Sequence, residues 1–114
     1  MLKEIIEKLK HAKLETQDWE QQKQHELIKM DAHINQKNSE LEQYNQAIDY
    51  YNQYGKKVSQ EIIKVANMSY QHGEIDFFQF IQSLENATTI QVDYLAAVSQ
   101  YNQTQLDLQN INIQ

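Results

Sequence analysis

The sequence predicts an all-α protein: a long antiparallel helical hairpin of coiled-coil type, in which the first helix is about twice as long as the second. The chain has no proline and only two glycines, Gly55 and Gly73, so few positions break a helix. Apolar residues recur at alternating intervals of three and four through the middle of the chain. A single strong turn signal lies in residues 70–80.

The first helix is predicted to span residues 1–72. Gly55 falls on its apolar seam, where the missing side chain lets another backbone approach closely. Upstream, Leu9, Trp19 and Leu27 have no predicted partner in the chain, because the second helix is too short to reach them. The predicted seam follows an a/d heptad repeat and comprises Ile34, Leu41, Tyr44, Ile48, Tyr51, Gly55, Val58, Ile62 and Val65.

The turn is predicted from helix stop and start signals. Gly73 suits the C′ position of the first helix, where a positive φ is needed. Asp76 is the expected N-cap of the second helix, and Gln79 completes an Asp-x-x-Gln capping box. Ile75 and Phe80 stand at the positions of a hydrophobic staple. These signals predict a sharp reversal between two helices.

We therefore divide the chain into a long helix, a tip turn at residues 73–75 and a shorter antiparallel helix at residues 76–110. Residues 111–114 are expected to be a frayed end or the start of a missing segment, and the alternating pattern after Leu108 is compatible with a short strand. The second helix has more apolar positions than one seam requires, so we expect it to touch neighbours on two sides. The chain is interpreted as a single partial domain.

Composition and charge exclude several functions. The net charge is −6. Every Lys or Arg is a lysine at or before Lys64, and all charged side chains after Gly73 are acidic. A chain without a basic patch is not expected to bind nucleic acid. There is no cysteine, so neither a disulfide nor a thiolate metal site can form. No apolar segment is long enough to span a bilayer, and no signal peptide is visible.

No arrangement of residues predicts an enzyme or a cofactor. His25 and Glu26 resemble the start of a zinc-protease motif, but Lys29 occupies the position of the second histidine. Met68 and His72, at i and i+4, are the candidate ligands for a soft metal such as copper or silver. Two ligands are too few for a site, so we expect no bound metal.

Residues 69–80 (SYQHGEIDFFQF) and 94–103 (YLAAVSQYNQ) resemble the C-terminal halves of TolC-type outer-membrane efflux proteins, especially those serving heavy-metal exporters. The resemblance covers nearly the whole chain, but only the last coiled-coil hairpin of a full protomer. It implies that the hairpin belongs to a trimeric α-barrel in the periplasm, below a β-barrel in the outer membrane. Membrane contact would then be made only through segments absent from this chain. The function implied is a passive conduit for the substrates, expected to be heavy-metal cations, of a tripartite exporter.

The partners implied by this resemblance are two further copies of the chain, a periplasmic adaptor protein and an inner-membrane pump. Tyr70, Gly73, Glu74 and Asp76 match the channel tip that meets the adaptor. The best-known members carry acidic residues at the channel mouth, where this sequence has Gln79 and Gln82. An acidic ring is therefore not expected at that level.

Two other hypotheses stay open. A free-standing coiled-coil hairpin with a structural or interaction role, and no transport, accounts for the residue pattern equally well. An enzyme or metal carrier ranks last. The sequence does not identify the substrate or metal, and it leaves open whether residues 1–35 stay extended.

Overall fold

The computed structural model describes residues 1–113, and all of its regular structure is helical, with no strand among those residues. Helix α1 spans Leu2–Tyr50, a π-helical turn spans Tyr51–Gly55, α2 spans Lys56–Gln71 and α3 spans Phe77–Ile113. The chain divides into two units, an N-terminal unit of Met1–Gln36 and a hairpin unit of Lys37–Gln114. None of the described helices combines the length and the apolar character that a membrane crossing requires.

The predicted long helix is confirmed. α1 has 49 residues, the π turn five and α2 sixteen, and they follow one another without a break, whereas α3 has 37. The chain composition explains this continuity, because no proline interrupts the backbone hydrogen bonds between residues 2 and 71. The predicted proportion of about two to one between the helices is therefore also confirmed.

The hairpin unit pairs its two arms antiparallel. Tyr51 stacks on Tyr94 with ring centroids 4.1 Å apart, and nearer the turn the Ser59 hydroxyl reaches the Ala87 carbonyl at 3.1 Å. At the open end, the Lys37 ammonium lies 3.6 Å from an Asp107 carboxylate oxygen. The sequence separation between contacting residues decreases toward the turn, as it must in a pair of antiparallel helices. The buried residues between the arms are small: Gly55, Ser59, Ala66, Ala87, Ala97 and Thr104.

After Gly55 the predicted seam is wrong at Val58 and Val65, whereas Ile62 is half-buried. Val58 and Val65 were expected to face the second helix, but they are 46% and 51% exposed, while Ser59 and Ala66 are buried in their place. The reason is the π turn, in which the Lys56 amide donates to the Tyr51 carbonyl five residues earlier. A π turn holds one more residue than an α turn and so moves every later side chain by one position.

The N-terminal unit is a stretch of α1 whose residues 1–33 are all exposed. Trp19 is 62% exposed, and the Lys23 ammonium lies 5.5 Å from the centroid of its ring. The exposed apolar side chains of this unit are Met1, Leu2, Ile5, Ile6, Leu9, Leu14, Trp19, Leu27, Ile28 and Met30. Helical propensity, rather than burial, accounts for the conformation of this unit.

The far end of α3 departs from the predicted boundary. The helix continues through Ile113, so no strand begins at residues 111–113. The alternating pattern after Leu108 is therefore not a strand signal here, and Ile111 is half-buried. Helix propagation adds one hydrogen bond for each residue it fixes, which favours continuation over a change of structure. Gln114, the last residue of the predicted tail, lies outside the described residues.

Candidate functional site

The turn at the closed end of the hairpin is a Schellman motif. Gly73 has φ +71°, the left-handed conformation that glycine adopts without penalty. The Glu74 amide donates to the Ser69 carbonyl at 2.8 Å, and the Gly73 amide donates to the Tyr70 carbonyl at 3.1 Å. These two bonds satisfy carbonyls that the end of α2 would leave without partners. The predicted role of Gly73 is confirmed.

The predicted capping box at the start of α3 is also confirmed. The Gln79 amide donates to Asp76 Oδ1 at 2.8 Å, and the Asp76 amide donates to Gln79 Oε1 at 3.0 Å. The reciprocal pair satisfies two N–H groups at the helix start. Both side chains therefore have a structural role in capping the helix.

An aromatic cluster closes the turn from one side. The Tyr70 ring stacks on Phe80, with centroids 4.8 Å apart and planes 19° from parallel. Phe77 approaches the same tyrosine edge-on at 6.2 Å. This cluster joins the last turn of α2 to the first turns of α3, so the tip is held by ring packing as well as by backbone bonds. The predicted staple contact between Ile75 and Phe80 stays a prediction, although both residues are half-buried.

The residues expected at the channel tip are brought together at this turn. Tyr70, Gly73, Glu74 and Asp76 are all exposed. The two predicted mouth residues, Gln79 and Gln82, are exposed as well, on the first turns of α3. The sequence pattern did not predict that Phe77 belongs to the aromatic cluster. Its position one residue after the N-cap could have indicated this.

The candidate soft-metal pair lies beside the turn without forming a cluster. Met68 and His72 are exposed, and the contact between them is a backbone bond from the His72 amide to the Met68 carbonyl at 3.0 Å. Among residues 1–113, no group of three or more His, Asp or Glu side chains stands close enough to hold a metal ion.

A buried polar pair between the arms was not predicted. Ser59 is completely buried; its hydroxyl donates to the Ala87 carbonyl and accepts from Gln91 Nε2, both at 3.1 Å. Such a pair fixes the register of two helices, since any slip would leave buried polar atoms without partners. The sequence indicates this role of Ser59 only through its position four residues after Gly55, which places both residues on the same face of a helix.

Apolar side chains form one exposed stripe on each arm of the hairpin. The stripe on the first arm, called the α2 stripe, begins at the end of α1, passes through the π turn and continues along α2. Its residues each precede a buried or half-buried residue by one: Tyr50, Tyr54, Val58, Val65 and Met68. The α3 stripe comprises Val92 and Leu95, which each follow a seam residue by one. Consecutive residues of a helix are rotated by about 100° from each other. In two antiparallel helices, a residue that precedes the seam in one arm and a residue that follows the seam in the other point to opposite sides of the pair. The two stripes therefore lie on opposite faces of the hairpin.

A cleft of about 270 Å³ opens beside the α2 stripe, where the π turn meets α3. It is lined mainly by tyrosine rings and aliphatic side chains, among them Tyr50, Tyr51, Ile90 and Tyr94. The cleft therefore extends the apolar surface on that face of the hairpin.

No family model, curated protein or solved structure matches this chain.

Proposed function

We propose that this chain is a wall segment of a TolC-type export conduit, a trimeric α-barrel in the periplasm, with its turn in contact with an adaptor protein. In this role the chain is a passive part of an outer-membrane channel for heavy-metal cations, and an inner-membrane pump selects the substrate. The support comes from the resemblance of residues 69–80 and 94–103 to that family, and from the surface properties of the hairpin.

The observation that carries the proposal is the pair of apolar stripes on opposite faces of the hairpin. Val65 on α2 and Leu95 on α3 are 51% and 63% exposed, and neither faces the opposite arm. An isolated hairpin has no use for two such stripes, whereas a helix pair inside a wall of helices has a neighbour on each side. Because each side chain is already about half buried, covering the remainder would contribute about 1–2 kcal/mol.

The turn has the properties that a docking tip needs. Its backbone is fixed by the Schellman bonds and the capping box, so binding a partner would order little that is not already ordered. Tyr70, 42% exposed, presents an aromatic surface, and Glu74 gives the exposed loop a negative charge. Aromatic residues are enriched in protein interfaces. We therefore assign adaptor contact to Tyr70, Gly73, Glu74 and Asp76.

The wall role is tested by placing a charge in the α3 stripe. We expect Leu95→Glu to reduce copper, silver or zinc resistance in a bacterium that depends on the gene, because a carboxylate would have to be buried against the neighbouring helix. The matched control is Gln100→Glu, which adds the same charge at an exposed polar position of α3. Expression is checked by immunoblot, and unfolding of the purified chains by circular dichroism. Unchanged resistance in Leu95→Glu cells that make normal amounts of protein would contradict the wall role.

The tip role is tested at Gly73 with two substitutions. Valine is strongly disfavoured at φ +71°, whereas asparagine tolerates this conformation. We therefore expect Gly73→Val to lower metal resistance and Gly73→Asn to keep most of it. Normal resistance in the valine strain would count against the tip contact, and would favour a free-standing interaction hairpin instead.

A further inference from the structure

The sequence contains two overlapping seams that differ by one residue. The heptad pattern of α1 continues without interruption through Val58, Ile62 and Val65. The structure instead turns Ser59 and Ala66 toward α3 and leaves the two valines exposed. Both sets share the a/d spacing of three and four, so either could face the opposite arm.

The π turn decides which seam is used. Its extra residue rotates α2 by about 100° relative to a continuous α-helix, which is the step that replaces Val58 by Ser59. The turn lies against α3: a Cβ on Gly55 would be 3.0 Å from Tyr51 Cδ2 and 3.4 Å from Ile90 Cγ2. The extra residue therefore lies where the two arms pack closely, with Ile90 of α3 against Gly55.

Each seam has its own source of stability. The observed seam allows close approach of Ser59 and Ala87, both 0% exposed, and supplies the hydrogen bonds of the Ser59–Gln91 pair. The other seam would bury Val58 and Val65, which the observed one leaves about half exposed. A change of register would thus exchange polar pairing for apolar burial rather than lose packing altogether.

We propose that the π turn is a register switch: with the extra residue in the turn, α2 packs through Ser59 and Ala66, and when the turn straightens into α-helix, α2 rotates to pack through Val58 and Val65. A neighbour that covers the α2 stripe holds the observed register, because it buries the two valines from outside. The switch goes beyond the proposed function. It depends only on packing within the hairpin unit, so its test does not depend on any transport role.

Disulfide trapping in the full chain tests the switch, since the protein has no cysteine of its own. One reporter pair is Ser59→Cys with Ala87→Cys, which matches the observed register. The other is Val58→Cys with Ala87→Cys, which matches the rotated register. Oxidation is carried out at low protein concentration, and only the monomeric cross-linked product is counted.

Each pair is placed in three backgrounds. The first is the otherwise unchanged chain. The second lacks Gln53, an exposed residue of the π turn, and the third lacks Gln21, an exposed residue of the N-terminal unit that serves as the deletion control. We expect the Ser59 pair to cross-link at least tenfold faster than the Val58 pair in the first and third backgrounds. Deletion of Gln53 is expected to slow the Val58 pair further, because the shortened turn closes as continuous α-helix with Ser59 already on the seam and has no extra residue left to release.

A second perturbation avoids deletion. With the Val58 pair in place, Ser59→Leu puts a large side chain where Ser59 and Ala87 leave no space, so the switch predicts faster cross-linking of the Val58 pair at unchanged helix content. A Val58 pair that cross-links faster in the chain lacking Gln53 than in the unchanged chain would overturn the proposal. So would a Val58 pair that stays slow in the Ser59→Leu background while circular dichroism shows the helices intact.

Discussion

The effect of replacing Gly73 by alanine on stability can be estimated from the backbone angle φ and from the space around this residue. Its φ is +71°, and a Cβ added there meets nothing within 4 Å, so Gly73→Ala would change backbone strain without creating a clash. An L-residue in the left-handed region costs about 1–2 kcal/mol. Alanine also restricts the unfolded chain, which offsets about 0.4–1 kcal/mol. We therefore expect Gly73→Ala to lower the free energy of unfolding of the hairpin by about 1 kcal/mol.

The seven tyrosines provide the assay, because all of them lie in the hairpin unit, while the tryptophan lies in the N-terminal unit. Urea unfolding followed by near-ultraviolet circular dichroism should therefore report mainly on the hairpin, since the tryptophan, whose band overlaps that of tyrosine, is 62% exposed. The expected order of stability is glycine, asparagine, alanine and then valine, since asparagine tolerates the left-handed region and a β-branched residue does not. An alanine variant as stable as the original chain, or an asparagine variant less stable than alanine, would refute this reasoning.

Three further substitutions test the contacts of the hairpin by the same assay. Asp76→Ala removes the N-cap and should lower the free energy of unfolding by about 1 kcal/mol; Gln79→Ala should cost less when Asp76 is already alanine, because the two side chains act as a pair. Ser59→Ala should cost about 1–3 kcal/mol by leaving a buried amide and carbonyl with fewer partners, and a loss below experimental error would contradict the buried pair. Phe80→Leu removes the ring that stacks on Tyr70 and should cost about 0.5–1.5 kcal/mol beyond the change in buried area; an equal effect in a chain already carrying Tyr70→Leu would show that the stack contributes nothing.

These predictions separate two kinds of contact in one hairpin. The turn is held by local bonds between residues within a few positions of each other, and its variants should change the stability of the closed end. The Ser59–Gln91 pair joins residues 32 positions apart and acts on the register of the arms. Substitutions in the α3 stripe, such as Leu95→Glu, are expected to leave both unchanged and to affect only contacts outside this chain.

The sequence by itself determined the helical class, the position of the reversal and the chemistry of its caps. These features depend on local interactions: glycine at a positive φ, a carboxylate at a helix start and the absence of proline act within a few residues of themselves. For the same reason the capping partners Asp76 and Gln79 could be paired in advance, and the structure shows both hydrogen bonds.

Only the tertiary structure decided which face of α2 meets α3. The heptad spacing favours Val58 and Val65 as strongly as it favours any earlier seam position, and no local rule predicts the π turn that displaces them. The choice depends on how closely the arms approach at Gly55 and Ala87, and on whether Ser59 finds Gln91 across the pair. Both are contacts between residues distant in sequence, and a periodic pattern read along one helix does not contain them.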